Sequence, residues 1–113
     1  MEIRSTSRIV SAANSTNGTI AKGGSGYLVK VSGYNAAAAV RYLKIYDSLT
    51  VTVGTTTPKI TIALAASKEF NLDFGDGFYM GTGLCYALTT GSADSDTGAL
   101  TAADVVGLNI YYQ

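Results

Sequence analysis

The stretch Ala36–Ser48, AAAAVRYLKIYDS, decides the fold. Four alanines, which favour helix, run into Val, Tyr, Ile and Tyr, which suit a pleated surface. Read as a helix, it places Ala36, Val40, Leu43 and Asp47 on one stripe that fails at its charged end, with only Asn35 to cap it. Read as a strand from Ala39, it sorts Ala39, Arg41, Leu43, Ile45 and Asp47 onto one face and Val40, Tyr42, Lys44 and Tyr46 onto the other. The strand reading fits Val40 to Tyr46 better, with Ala36 to Ala39 as an extended lead-in or one helical turn. Leu43 and Ile45 then point into a core. Tyr42, Lys44 and Tyr46 face away from it, a contact surface if solvent reaches them and core if a second layer covers them.

Other segments read the same way. In PKITIALAASKEFNLDFGDG, Ile60, Ile62 and Leu64 alternate with Lys59, Thr61 and Ala63, and Phe70, Leu72 and Phe74 alternate with Glu69, Asn71 and Asp73. That pattern predicts a hairpin with one apolar side, closed by Ala65–Lys68 and followed by a turn at Gly75-Asp76-Gly77. FYMGTGLCYALTT then reads as one strand from Phe78 to Thr90. Phe78, Met80, Leu84, Tyr86 and Leu88 lie on one face and the small Gly81, Gly83, Cys85 and Ala87 on the other, where a bulge, a bend or another backbone fits. DVVGLNIYYQ, GYLVKVSGY and SRIVS supply further strands. The expectation is an all-β chain, a single-domain antiparallel β-sandwich or jelly roll of about seven to nine strands with little or no helix. Residues 1–113 form that one domain, with 1–25 as an extended N-terminal arm.

Composition narrows the functions. At 113 residues the chain suits one core, and its formal net charge of zero gives no general attraction to nucleic acid. Histidine is absent, so Ser-His-Asp and Cys-His chemistry and His-based metal sites are unavailable. The single Cys85 permits no internal disulfide and reads as a buried, inert thiol. No run approaches the ~20 apolar residues of a membrane span, and Met1-Glu2-Ile3-Arg4 leads into serines and threonines rather than a signal core, so the expectation is a soluble chain of cytoplasmic synthesis without a membrane partner.

Three motifs fall short of chemistry. Asp94–Gly98, DSDTG, with Asp104 nearby, has some calcium-loop spacing but lacks the remaining ligands of an EF-hand. GTGLCYALTTG has no Lys-Ser/Thr to follow its glycines as a phosphate loop requires. Asp73 and Asp76 flank a turn glycine, where carboxylates cap rather than catalyse. The expectation is therefore no enzyme, no catalytic, cofactor-binding or metal-binding residues, and no cofactor.

Two features suggest binding. Eight tyrosines are too many for one core with every hydroxyl satisfied, so several belong at a surface. Charge is also divided: six basic residues up to Lys44 face only Glu2, about +5, while the remainder carries Lys59 and Lys68 against seven carboxylates, about −5. The halves either pair within the fold or present a basic N-terminal segment to a neighbour. Candidate interface residues are Arg4, Arg8, Tyr42, Lys44, Tyr46 and Tyr111.

The blocks VRYLKIY, TPKITI, FNLDFGDG and GLCYALT, and the Asp/Ala loop leading to DVV, span about Ala38 to Tyr112, roughly two-thirds of the chain. In these blocks the chain resembles small all-β virion structural proteins of tailed bacteriophages, of the capsid decoration or cement type. The resemblance implies a non-enzymatic phage virion structural protein that sits on the capsid surface. Its expected partners are the major capsid protein and itself, as a homotrimer, with no nucleic acid bound. A phage tail or fibre subunit, or a glycan-binding receptor-recognition module, is the alternative. No catalytic residue is carried over.

Overall fold

The computed structural model describes residues 2–113. Its eight strands are β1 (Ser5–Ile9), β2 (Thr19–Lys22), β3 (Gly26–Asn35), β4 (Arg41–Tyr46), β5 (Ile60–Leu64), β6 (Lys68–Met80), β7 (Leu84–Thr89) and β8 (Val105–Tyr112). They form two four-stranded sheets, β1-β8-β3-β6 and β2-β7-β4-β5, called here sheet one and sheet two. Every pairing is antiparallel, and β1 pairs β8, β2 pairs β7, β3 pairs β6 and β4 pairs β5. The chain is thus one long antiparallel ribbon rolled on itself, which is the jelly-roll topology.

β4 settles the opening stretch as strand. Leu43 and Ile45 are fully buried between the sheets, where they join Leu28, Val31, Leu64, Leu84, Leu88, Leu108 and Ile110. The alanines are neither extended lead-in nor helical turn but a bend over 37–39. Asn35, which helix reasoning would use as a cap, holds this bend instead. Its side-chain amide donates to the carbonyls of Ala39 (3.1 Å), Leu64 (3.0 Å) and Ala65 (3.2 Å), while its oxygen accepts from the Ala37 N–H (3.0 Å). Asn35 is itself fully buried, so losing it would orphan several backbone groups at once.

Two expectations need correction. The Ile60–Leu64 and Phe70–Phe74 rows are not partners in a hairpin. β5 pairs β4 in sheet two and β6 pairs β3 in sheet one, so the 65–67 turn carries the chain from one sheet to the other. Both rows are apolar because both face the same core from opposite sides. Second, Gly75-Asp76-Gly77 does not end the strand. Leu28 faces Phe78 and Lys30 faces Asp73, so Val29 alone on β3 stands against residues 74–77, and β6 bulges there with φ of 64° at Gly75 and 99° at Gly77. The break comes later, at 81–83, between β6 and β7. Within 1–25, β1 is an edge of sheet one and β2 an edge of sheet two.

The central strands of sheet two, β7 and β4, are covered on both faces. Leu84, Tyr86 and Leu88 of β7 face the main core, while Cys85 and Ala87 join Tyr46 beneath Val51 and Val53 of the 47–59 strap. All six β7 residues are consequently buried. The small residues that alternate along this strand make room for the strap. At Gly83 a Cβ would lie 2.5 Å from the Ser48 carbonyl oxygen, so no larger residue fits.

Candidate functional site

The two outer faces divide the predicted interface residues. Tyr42, Lys44 and Tyr46 lie on the outer face of sheet two, under the added layer. Lys44 is fully buried and donates its ammonium to the Ala93 carbonyl, Tyr46 is fully buried, and Tyr42 is half-buried. Lys44 and Tyr46 are therefore interior residues rather than contact residues, because the strap and the 91–99 loop close over them. The Tyr46 hydroxyl has no hydrogen-bond partner among the described residues, and burial, helped by the nearby Asp94 charge, raises its pKa. Burial likewise raises the pKa of the Cys85 thiol, which is fully buried and donates to the Ser48 carbonyl (3.2 Å).

Arg8 and Tyr111 lie on the outer face of sheet one, with Arg4 just before β1, and among the described residues no covering layer lies over that face. Register fixes that face row by row: Arg8 beside Asn109 and then Ser32 and Asn71, Thr6 beside Tyr111 and then Lys30 and Asp73. The centre is a polar network. The Ser32 hydroxyl donates to the Tyr111 hydroxyl (3.2 Å), the Asn109 amide reaches Ser32 (3.4 Å), and the Lys30 ammonium stands 5.6 Å from the Tyr111 ring centre. At one end the exposed Tyr27 and Tyr79 rings pack with centroids 5.3 Å apart, and at the other Tyr34 pairs with Val106. A shallow depression of about 530 Å³ opens between Ser32, Glu69, Asn71 and Asn109.

Exposed apolar surface is concentrated here. Among the described residues eleven large hydrophobic side chains are exposed, and eight of them, Ile3, Val10, Tyr27, Tyr34, Leu72, Phe78, Tyr79 and Val106, lie on or beside the strands of sheet one, where register puts Tyr27, Tyr34, Tyr79 and Val106 on the outer face and turns Leu72 and Phe78 to the core side. Only Ile20, Val40 and Leu49 lie elsewhere. Tyr27, Tyr34 and Tyr79 were absent from the predicted set. Simple alternation misplaces Tyr27 with Val29 and Val31, because the bulge at Val29 inverts the face midway along β3. The surplus of tyrosines was the available signal.

The acidic motifs are occupied by the chain itself. Asp96 accepts the N–H groups of Gly98 (2.8 Å) and Gly91 (3.3 Å), so it shapes its own loop. Asp73 accepts the Gly75 N–H (2.8 Å) at the β6 bulge. Asp104 takes Arg41 (3.0 Å) and the Thr101 hydroxyl (2.7 Å), an ion pair that joins the basic and acidic halves. Burial works against ionisation of Asp104, but Thr101 and Arg41 outweigh it and hold its pKa below the usual carboxylate value. Among the described residues no three His, Cys, Asp or Glu side chains converge as metal ligands would.

The glycines of GTGLCYALTTG do cradle an anion, and it is Asp47. The N–H groups of Gly81 (2.9 Å), Thr82 (2.7 Å) and Gly83 (3.2 Å) converge on its carboxylate, and Lys59 adds an ammonium at 3.2 Å. Burial alone would raise its pKa, but the three N–H groups and Lys59 hold it at about 2. The cluster locks the start of the strap to the β6–β7 turn.

No known protein family, curated protein or solved structure matches the chain.

Proposed function

We propose that this protein is a non-enzymatic virion structural protein of a tailed phage, a capsid decoration protein that lies on the capsid surface and binds it through the open face of sheet one. The observation that carries the reading is the asymmetry of the sandwich. The central strands of sheet two, β7 and β4, are covered on both sides, whereas sheet one leaves its outer face bare, and register places the exposed Tyr27, Tyr34, Tyr79 and Val106 on that face. A patch of tyrosines around a polar centre matches the make-up of protein interfaces, in which aromatic residues are enriched. The jelly roll recurs in capsid proteins and also in lectins, so the fold supports the reading by analogy only.

The test is copy number and face. Quantitative mass spectrometry of purified particles of the phage encoding this chain is expected to find hundreds of copies per particle, and Tyr34→Ala with Tyr79→Ala to abolish rebinding to stripped particles. Absence from particles overturns the reading, and a handful of copies moves the protein to the tail. The exposed Tyr27–Tyr79 pair favours a second reading, a sugar-stacking receptor-binding module. Glycan-array binding lost on Tyr79→Ala would establish it, and a blank array would remove it.

A further inference from the structure

Sheet one ends in two free edges, β1 and β6, and these edges differ in kind. Because every neighbour in the order β1-β8-β3-β6 is antiparallel, β1 and β6 run in opposite directions. A second copy set beside the first without being turned over would bring its β1 against the first copy's β6 in the antiparallel sense, and the sheet would continue.

Lengths and charges agree with that arrangement. β1 has five residues, and the regular part of β6, from Lys68 to Asp73, ends where the bulge begins. Exposed Arg4 and Arg8 mark the β1 edge, whereas Glu69, Asp73 and Asp76 mark the β6 edge against Lys68 alone. Arg8, Glu69 and Asp73 have no ion-pair partner within the chain among the described residues. Leu72, 38% exposed on the β6 edge, and half-buried Ile9 on β1 would both lose water at the contact. Symmetric alternatives are worse matched, because β6 on β6 sets acid against acid and β1 on β1 sets arginine against arginine.

We infer that copies of this chain associate head to tail, β1 of one against Lys68–Asp73 of the next. A contact between unlike edges closes into a ring if the rotation per copy divides a full turn, and otherwise grows as a chain. The inference deepens the proposed function by giving the geometry of one of its partners, a second copy.

Sedimentation velocity of the full chain over rising concentration tests it. The protein is expected to self-associate, more weakly at high salt. Arg8→Glu alone, and Glu69→Lys with Asp73→Arg alone, are each expected to weaken association about tenfold or more by placing like charges together. An equimolar mixture of the two variants is expected to reassociate, since each reversed edge then meets its reversed partner. Circular dichroism checks that both variants keep the native fold. A wild-type protein that stays monomeric, an assembly that both variants leave intact, or a mixture that stays apart overturns the inference. Particle binding is read separately by co-sedimentation: self-association without it defeats the decoration reading and leaves this one standing, and the converse holds equally.

Discussion

Replacing Asp47 by Asn tests the lock between the strap and the β6–β7 turn. The substitution keeps the size of the side chain and one carbonyl oxygen, but it removes the charge that three backbone N–H groups and Lys59 address. Gly81 and Thr82 are exposed, so water can satisfy their N–H groups, whereas Gly83 is buried and its N–H depends on the carboxylate. A fall in pKa from 3.8 to about 2 sets a ceiling near 2.4 kcal/mol at ~1.36 kcal/mol per unit. With the Asp47 side chain 21% exposed, screening lowers the expected loss to about 1 to 2 kcal/mol. That corresponds to a drop of roughly 3 to 8 °C in Tm for a chain of this size.

The pH dependence supplies the sign. The folded-state pKa is depressed, so this stabilisation is fully present above the unfolded value of 3.8 and is lost as pH falls through about 2. Urea unfolding of wild type and Asp47→Asn at pH 7, 5, 4, 3 and 2, with pH values chosen to bracket that window, should give curves that differ by about 1 to 2 kcal/mol at neutrality and converge towards pH 2. A gap of the same size at pH 7 and pH 2, or none at pH 7, would refute the reasoning.

Two buried tyrosines give a paired prediction. Tyr46→Phe removes a hydroxyl with no partner and is expected to leave stability unchanged or raise it by up to about 1 kcal/mol, whereas Tyr86→Phe breaks the 2.6 Å bond to Ser7 across the sandwich and is expected to cost about 1 kcal/mol. Equal changes in the two unfolding midpoints would contradict the assignment. Cys85 reports on the strap: Ellman's reagent is expected to label it far more slowly than a free thiol, and Val51→Ala with Val53→Ala to speed labelling without comparable loss of global stability. Rapid labelling of the native wild type would contradict the described burial.

The sequence made the class of fold readable because alternation is a local property. Leu43 and Ile45, or Leu84, Tyr86 and Leu88, declare a buried face whatever they pack against. Pairing is not local, which is why Ile60–Leu64 and Phe70–Phe74 looked like a hairpin. Two apolar rows facing one core give the same pattern whether they lie in one sheet or in two. The site was legible only in part for a related reason. Arg8 and Tyr111 share a face by register across more than a hundred residues of chain, while Lys44 and Tyr46 look amphipathic until the strap and the 91–99 loop close over them. One hint of that cover was present in the small Cys85 and Ala87, whose size makes sense only if another layer approaches.

The rolled-ribbon topology also governs when the molecule can form. β4 and β5 meet across the 47–59 strap alone, with Ile45 opposite Ile60, but Ser5 must find Tyr112. Loop-closure entropy favours zipping outward from the β4–β5 end, and so many distant pairings place the chain among slow folders. At a synthesis rate of about 5 to 20 residues per second, β1 waits several seconds on the ribosome for a partner that is made last. During that wait its serines, threonine and Arg8 face water, and a strand so polar is well suited to remain soluble until β8 emerges.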